Sequence, residues 1–113
     1  MKIVVLEESK KRKEQIANLL EEKGHDVIVC SASGEFMEMI ENSTPDKILL
    51  NIESWQHGRA IYSYFNFSRK LDDTPITFYN APESFTAIPD RNPNQDDKIF
   101  TKYTDIEEVV GEI

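Results

Sequence analysis

The sequence predicts an α/β protein built on a five-stranded parallel sheet. Two observations carry this prediction. Short, almost wholly apolar runs rich in β-branched residues recur along the 113-residue chain, and segments with helical spacing of apolar residues separate most of them. Such runs are typical of strands buried on both faces, and strands that alternate with helices usually pair in parallel.

The first half of the chain alternates regularly. The predicted strands are 3–6 (IVVL), 27–30 (VIVC) and 48–52 (ILLNI). Ser9 is a suitable N-cap for the first helix, and Gly24 is a suitable left-handed residue after its end. Apolar side chains at helical spacing mark one face of each of the two helices: Ile16, Leu19 and Leu20 in the first, and Phe36, Met39 and Ile40 in the second.

The second half contains one irregular stretch. A third helix is predicted over 58–71, a fourth strand over 75–79 (PITFY) and a fifth over 98–101 (KIFT). Residues 81–97 contain three prolines, so the helix between strands four and five is predicted to be missing or reduced. A capping box, Thr104 to Glu107, opens the last helix. Right-handed crossovers then give the flavodoxin-like, doubly wound sheet with strand order 2-1-3-4-5.

Composition excludes several classes of partner. The net charge of −8 makes nucleic acids and anionic membranes poor partners. No apolar stretch is long enough to span a membrane, no signal peptide is recognisable, and the single cysteine, Cys30, excludes an intrachain disulfide. We expect a single cytoplasmic domain over residues 1–113, and the short last helix ending at Ile113 hints that the chain is cut from a longer protein.

Polar side chains collect where the predicted strands end. Glu7 and Glu8 follow the first strand, Asn51 lies at the end of the third, Asn80 follows the fourth, and Lys102 follows the fifth. In a doubly wound sheet the carboxyl ends of the strands form the ligand-binding edge. These five residues are therefore predicted to form one pocket.

This ordered set resembles the receiver domain of two-component response regulators, over essentially the whole chain. The resemblance implies that Glu7 and Glu8 correspond to the family's acidic pair. It also implies that Asn51 stands where the family has its phosphoryl-accepting aspartate, and that Asn80 replaces a threonine or serine. Lys102 matches the family's lysine, although Tyr103 follows it where the family has proline.

The resemblance makes the pocket a vestigial phosphorylation site, since an amide at Asn51 is a poor nucleophile and cannot form an aspartyl phosphate. No catalytic residue, bound metal or cofactor is expected. Glu7, Glu8 and Glu53 remain weak candidates for holding Mg²⁺, because one carboxylate of the family's site is lost. Lys102 is expected to pair with Glu7 or Glu8, and the alternative is that it binds an anion.

A protein partner is the best interpretation of the function. Aromatic residues cluster around the third predicted helix, where an interface and ordinary core packing explain them about equally well. The interface candidates are Trp55, Tyr62, Tyr64, Phe67, Ile99 and Tyr103. The sequence favours a phosphorylation-independent, non-enzymatic pseudo-receiver that binds a protein in bacterial signal transduction. The alternatives are a small-molecule sensor with a pocket shaped by 81–97, and a receiver that retains weak metal or anion binding.

Overall fold

The computed structural model describes residues 1–57, 69–88 and 91–113, with the side chains of 55–57 outside the description. All five predicted strands are present and pair in parallel, in the order β2-β1-β3-β4-β5. Their bounds are β1 Lys2–Leu6, β2 Asp26–Cys30, β3 Lys47–Asn51, β4 Ile76–Ala81 and β5 Lys98–Thr101. The predicted fold class and strand order are therefore confirmed.

Four helices lie in the described part of the chain. Their bounds are α1 Lys10–Glu22, α2 Ser33–Asn42, α3 Ile52–His57 and α4 Ile106–Gly111. None of the helices in the described ranges has the length and apolar character needed to cross a membrane.

The continuous apolar runs exist because both faces of the sheet are buried. Val4 and Leu6 of β1 belong to the cluster that contains residues of α2, whereas Ile3 and Val5 belong to the cluster that contains residues of α1 and α4. All four side chains are fully buried. Each contributes about 1.5–3 kcal/mol to folding, so a polar substitution on either face of this strand is costly.

Both predicted end signals of α1 are present. The Ser9 hydroxyl accepts the backbone N–H of Arg12 at 3.4 Å, and Gly24 adopts a φ of 86°. A side chain at Gly24 would be strained, because this left-handed conformation is costly for residues with a Cβ. The N-cap places Arg12 in the first turn of the helix, close to the carboxyl end of β1.

Four predicted boundaries are wrong. β4 covers Ile76–Ala81 and not 75–79, so Asn80 lies within the strand and does not follow it. β3 ends at Asn51 and Ile52 already belongs to α3, since the Asn51 side chain accepts N–H groups of the first turn, as an N-cap does. The capping box is absent: Asp105 is the N-cap of α4 without a side-chain bond, and the Glu107 carboxylate accepts a hydrogen bond from Gln15 instead. The helix predicted over 58–71 falls largely outside the described residues, and 69–71 are not helical.

The segment between β4 and β5 contains no helix in its described parts, 82–88 and 91–97. A buried guanidinium organises it. Arg91 donates to the carbonyls of Leu71 and Thr74 at 3.0 Å each and pairs with both carboxylate oxygens of Asp97. Asp97 also accepts the backbone N–H of Ile76 at the start of β4. This ion pair therefore ties the irregular segment to the sheet where a helix was predicted to be missing or reduced.

Candidate functional site

A buried carboxylate lies at the centre of the site. Glu7 directly follows β1 and is fully buried. Its Oε1 accepts hydrogen bonds from Asn51 Nδ2 at 2.9 Å and from the Tyr79 hydroxyl at 2.7 Å, and its Oε2 accepts the backbone N–H of Ser9 at 2.9 Å. Three donors thus replace the water that the carboxylate loses on burial.

Arg12 provides the opposite charge. Its Nε lies 3.1 Å from Glu7 Oε1. The Nε–H makes no hydrogen bond among the described residues, so this contact is an ion pair without a hydrogen bond. The Arg12 side chain is 41% exposed, whereas the Glu7 side chain is fully buried. Removing the cation would leave a buried carboxylate with neutral donors only, which is the costly way to break such a pair.

Asn51 uses both atoms of its amide. Oδ1 accepts the backbone N–H of Glu53 at 2.9 Å and of Ser54 at 3.3 Å, while Nδ2 donates to Glu7. The N–H groups require an acceptor on one side and the carboxylate requires a donor on the other. An amide meets both requirements at once, whereas an ionised aspartate would turn an acceptor oxygen towards the Glu7 carboxylate.

Asn80 closes the network from β4. Its Nδ2 donates to Asn51 Oδ1 at 3.2 Å and to Glu53 Oε2 at 2.9 Å. The residue has a φ of 53°, in the left-handed region, and the β4–β5 register shifts between Phe78 and Ala81. Asparagine tolerates this conformation better than most residues, and an irregularity of this kind re-aims a side chain at the end of a strand.

Tyr79 is the site residue that the sequence reasoning missed. Burial raises the pKa of its phenol, and the neighbouring Glu7 charge together with the hydrogen bond that the phenol donates to Glu7 raises it further. The hydroxyl also lies 3.4 Å from the carbonyl oxygen of Leu6. Nothing in the PITFY run separates Tyr79 from an ordinary core aromatic, since its role depends on which strand lies beside it.

The comparisons with known proteins bear on the fold. No protein-family model matches the sequence, and no curated protein matches it. Among solved structures, a two-component response regulator from Clostridium difficile shares 19% identity and a TM-score of 0.72, over 99% of this chain and 91% of the other. The chain has a receiver fold.

Two further structures show the same likeness. The chemotaxis response regulator CheY4 of Vibrio cholerae is 14% identical with a TM-score of 0.71, over 97% of this chain and 92% of its own. The N-terminal domain of a response regulator/sensory box/GGDEF three-domain protein from Carboxydothermus hydrogenoformans is 22% identical with a TM-score of 0.67. The match covers 99% of this chain and 90% of the other. At these identities the likeness establishes the fold.

Within this receiver fold, the predicted pocket residues divide into two groups. Glu7, Asn51 and Asn80 form one hydrogen-bonded network. Glu8 is exposed, and Lys102 is exposed with its Nζ 5.3 Å from the centre of the Tyr103 ring. The expected ion pair of Lys102 with Glu7 or Glu8 does not form among the described residues. Arg12, one turn into α1, takes that role for Glu7.

The three weak metal candidates do not converge. Both Glu7 oxygens accept protein donors, and Glu53 accepts a hydrogen bond from Asn80. Within 1–57, 69–88 and 91–113, no three His, Cys, Asp or Glu side chains lie close enough together to hold a metal ion.

Two of the interface candidates are open to solvent. Tyr103 is 71% exposed and Ile99 is 42% exposed, which makes them two of the exposed large apolar residues in the described part of the chain. Both belong to β5 or to the turn that follows it, at the edge of the sheet. The side chains of the other candidates lie outside the described residues: Trp55, Tyr62, Tyr64 and Phe67.

Proposed function

We propose that the chain is a phosphorylation-independent pseudo-receiver that acts as a protein-interaction module in bacterial signal transduction, in the cytoplasm and without catalysis of its own. The observation that carries this proposal is the hydrogen bonding of Asn51. Its amide nitrogen donates to a buried carboxylate and its oxygen accepts N–H groups from the backbone and from Asn80.

One physical reason argues against phosphoryl transfer to this position. An amide oxygen is a weak nucleophile, and the Asn51 oxygen already accepts three N–H groups. Any message that the domain carries would then depend on contact with a partner.

The exposed apolar residues on β5 and on the turn after it support an interaction role. Ile99 and Tyr103 are accessible at the sheet edge, and an exposed tyrosine supplies a large contact area with little conformational entropy to lose. The aromatic ring of Tyr103 also lies against the Lys102 ammonium, which keeps a cation at the same surface. A partner with apolar and acidic side chains would suit this surface.

The test is an NMR comparison with a phosphoryl mimic. Beryllofluoride and Mg²⁺ are added to the ¹⁵N-labelled chain and to a receiver that carries the acceptor aspartate. We expect the amides of Asn51, Glu53 and Ser54 to keep their chemical shifts in this chain, while the amides around the acceptor aspartate of the control receiver shift. Strong shifts for the amides of Asn51, Glu53 and Ser54 would overturn the proposal, because they would mean that the mimic occupies the acceptor position.

A second candidate function, sensing of a small molecule, is favoured by one cavity. It measures about 90 Å³ and is formed over β4 and β5 by the irregular segment, with mostly apolar walls. Its charged members, Arg91 and Asp97, already bind each other, so the lining suits a small, mainly apolar ligand. The test is a thermal-shift screen of small apolar compounds. If this candidate is right, at least one compound raises the melting temperature; no stabilisation by any compound at millimolar concentration would reject it.

A further inference from the structure

A second, polar cavity lies beside the Glu7 network and is separate from the acceptor position. It measures about 60 Å³ and lies between α1, the end of β4 and the start of α4. Its walls are formed by Arg12, Tyr79, Asn80, Lys102, Thr104 and Ile106. Neither Asn51 nor Glu53 lines it, so whatever occupies this cavity does not need the position of the missing aspartate.

Two cations line the cavity, Arg12 and Lys102, and no carboxylate does. Lys102 forms no ion pair with any carboxylate in the described ranges, and its Nζ lies 5.3 Å from the centre of the Tyr103 ring. The Nε of Arg12 lies 3.1 Å from Glu7 Oε1, and this buried nitrogen has no hydrogen-bond partner among the described residues. Both oxygens of Glu7 accept hydrogen bonds from other donors.

A cavity wall with two cations and no carboxylate contrasts with the net charge of −8 of the whole chain. The nearby acids on α4, Glu107 and Glu108, are exposed and do not line the cavity, and Glu107 accepts a hydrogen bond from Gln15. The donors that remain are the Lys102 ammonium, the outer nitrogens of Arg12 and the hydroxyl of Thr104. Two cations and a hydroxyl around one small space are typical of a site for an anion with several oxygens.

We propose that this cavity binds a small oxyanion without covalent attachment, either a phosphate or a carboxylate group, with Lys102 and Arg12 as its charged donors and Thr104 as its neutral donor. The proposal goes beyond the interaction function above and does not depend on it. The cavity volume sets the size of the group that enters it. A single water molecule needs on the order of 10–15 Å³ of such space, so the cavity accepts a group of a few heavy atoms.

The test is a set of NMR titrations of the ¹⁵N-labelled chain. Sodium phosphate, sodium acetate and sodium chloride are added separately at equal ionic strength. We expect one or both oxyanions to shift the Arg12 side-chain Nε–H signal and the backbone amides of Lys102 and Thr104 in a saturable way, while chloride does not. The phosphate and acetate arms show which source of oxygens the site accepts. If chloride reproduced the shifts, the cavity would hold an adventitious ion only, and the proposal would be overturned.

Two variants decide whether the cavity is the site. Lys102→Gln should weaken binding about tenfold, because one charge-assisted contact is lost. Lys98→Gln is the matched control: it removes a lysine at the start of β5, the strand that Lys102 follows, where the ammonium contacts Glu112, and it should leave the affinity unchanged. Equal affinity of the wild type and Lys102→Gln, or no shift with either oxyanion, would refute the assignment. Retained wild-type dispersion in the Lys102→Gln spectrum excludes misfolding as the cause of a loss.

Discussion

Replacing Asn51 with aspartate tests the physical role of the amide. The substitution removes the donor that lies 2.9 Å from Glu7 Oε1 and puts a second carboxylate in its place. The lost hydrogen bond to a charged group is worth about 1.5–3 kcal/mol. Repulsion between the two carboxylates adds to this, but the pair relieves the repulsion by taking up one proton.

Proton uptake limits the size of the effect and makes it depend on pH. Carboxyl pKa values near 4 in the unfolded chain mean that holding one proton at pH 7 costs at most about 4 kcal/mol, at 1.36 kcal/mol per unit. We therefore expect the free energy of unfolding of Asn51→Asp to be about 2–4 kcal/mol below wild type at pH 7. Because the folded variant binds the extra proton more tightly than the unfolded chain, the deficit should shrink as the pH falls towards 4.

Urea denaturation at pH 7 and at pH 5 measures this prediction. Asn51→Ala is the control, since it removes the same hydrogen bonds without adding charge, and its difference from wild type should change little between the two pH values. If Asn51→Asp matched wild type at pH 7, or if its deficit did not depend on pH, the argument that the site requires an amide beside Glu7 would be refuted.

Three further substitutions test other parts of the structure. Tyr79→Phe should lower the free energy of unfolding by about 1–3 kcal/mol, since the buried carboxylate loses a donor, and chemical denaturation measures it. Arg91→Met should cost about 3–5 kcal/mol by leaving Asp97 unpaired in a nearly buried place, whereas Lys98→Gln, at an exposed pair, should change stability by less than about 1 kcal/mol. A double change of Ile99 and Tyr103 to serine should leave the melting temperature near wild type but abolish partner binding measured by calorimetry, and undiminished binding would remove β5 from the interface.

The fold could be predicted because burial leaves a simple trace in the sequence. Strands covered on both faces read as unbroken apolar runs, so Ile3 to Leu6 and Ile48 to Leu50 were recognisable without knowledge of their neighbours. Ser9 and Gly24 mark the ends of α1 through local chemistry alone. The boundary at Ile52 was missed because an apolar residue suits a buried strand and a buried helix equally well.

The site could be predicted only in part. The edge where Glu7, Asn51 and Asn80 meet follows from the strand order, so their proximity was foreseeable. Arg12 and Tyr79 were not identified, since an arginine in a basic run and a tyrosine in an apolar run look ordinary until the neighbouring elements are known. The expectation for Lys102 failed for the same reason: a closer cation on α1 pairs with Glu7.

The Arg91 ion pair shows the same limit in the irregular segment. Three prolines predicted that the helix would be missing or reduced, and the described parts of the segment, 82–88 and 91–97, contain no helix. They did not indicate what replaces it, because the partners of Arg91 lie at Leu71, Thr74 and Asp97, on three separate stretches of chain. Contacts of that kind depend on tertiary structure and leave no periodic pattern in the sequence.

The most direct measurement of the central claim is the intact mass of the protein after incubation with acetyl phosphate and Mg²⁺ at neutral pH. A receiver that carries the acceptor aspartate is treated in parallel to show that the reagent is active. The account predicts that this chain keeps its unmodified mass while the control gains a phosphoryl group. A phosphoryl adduct on this chain that maps to the peptide containing Asn51 would contradict it.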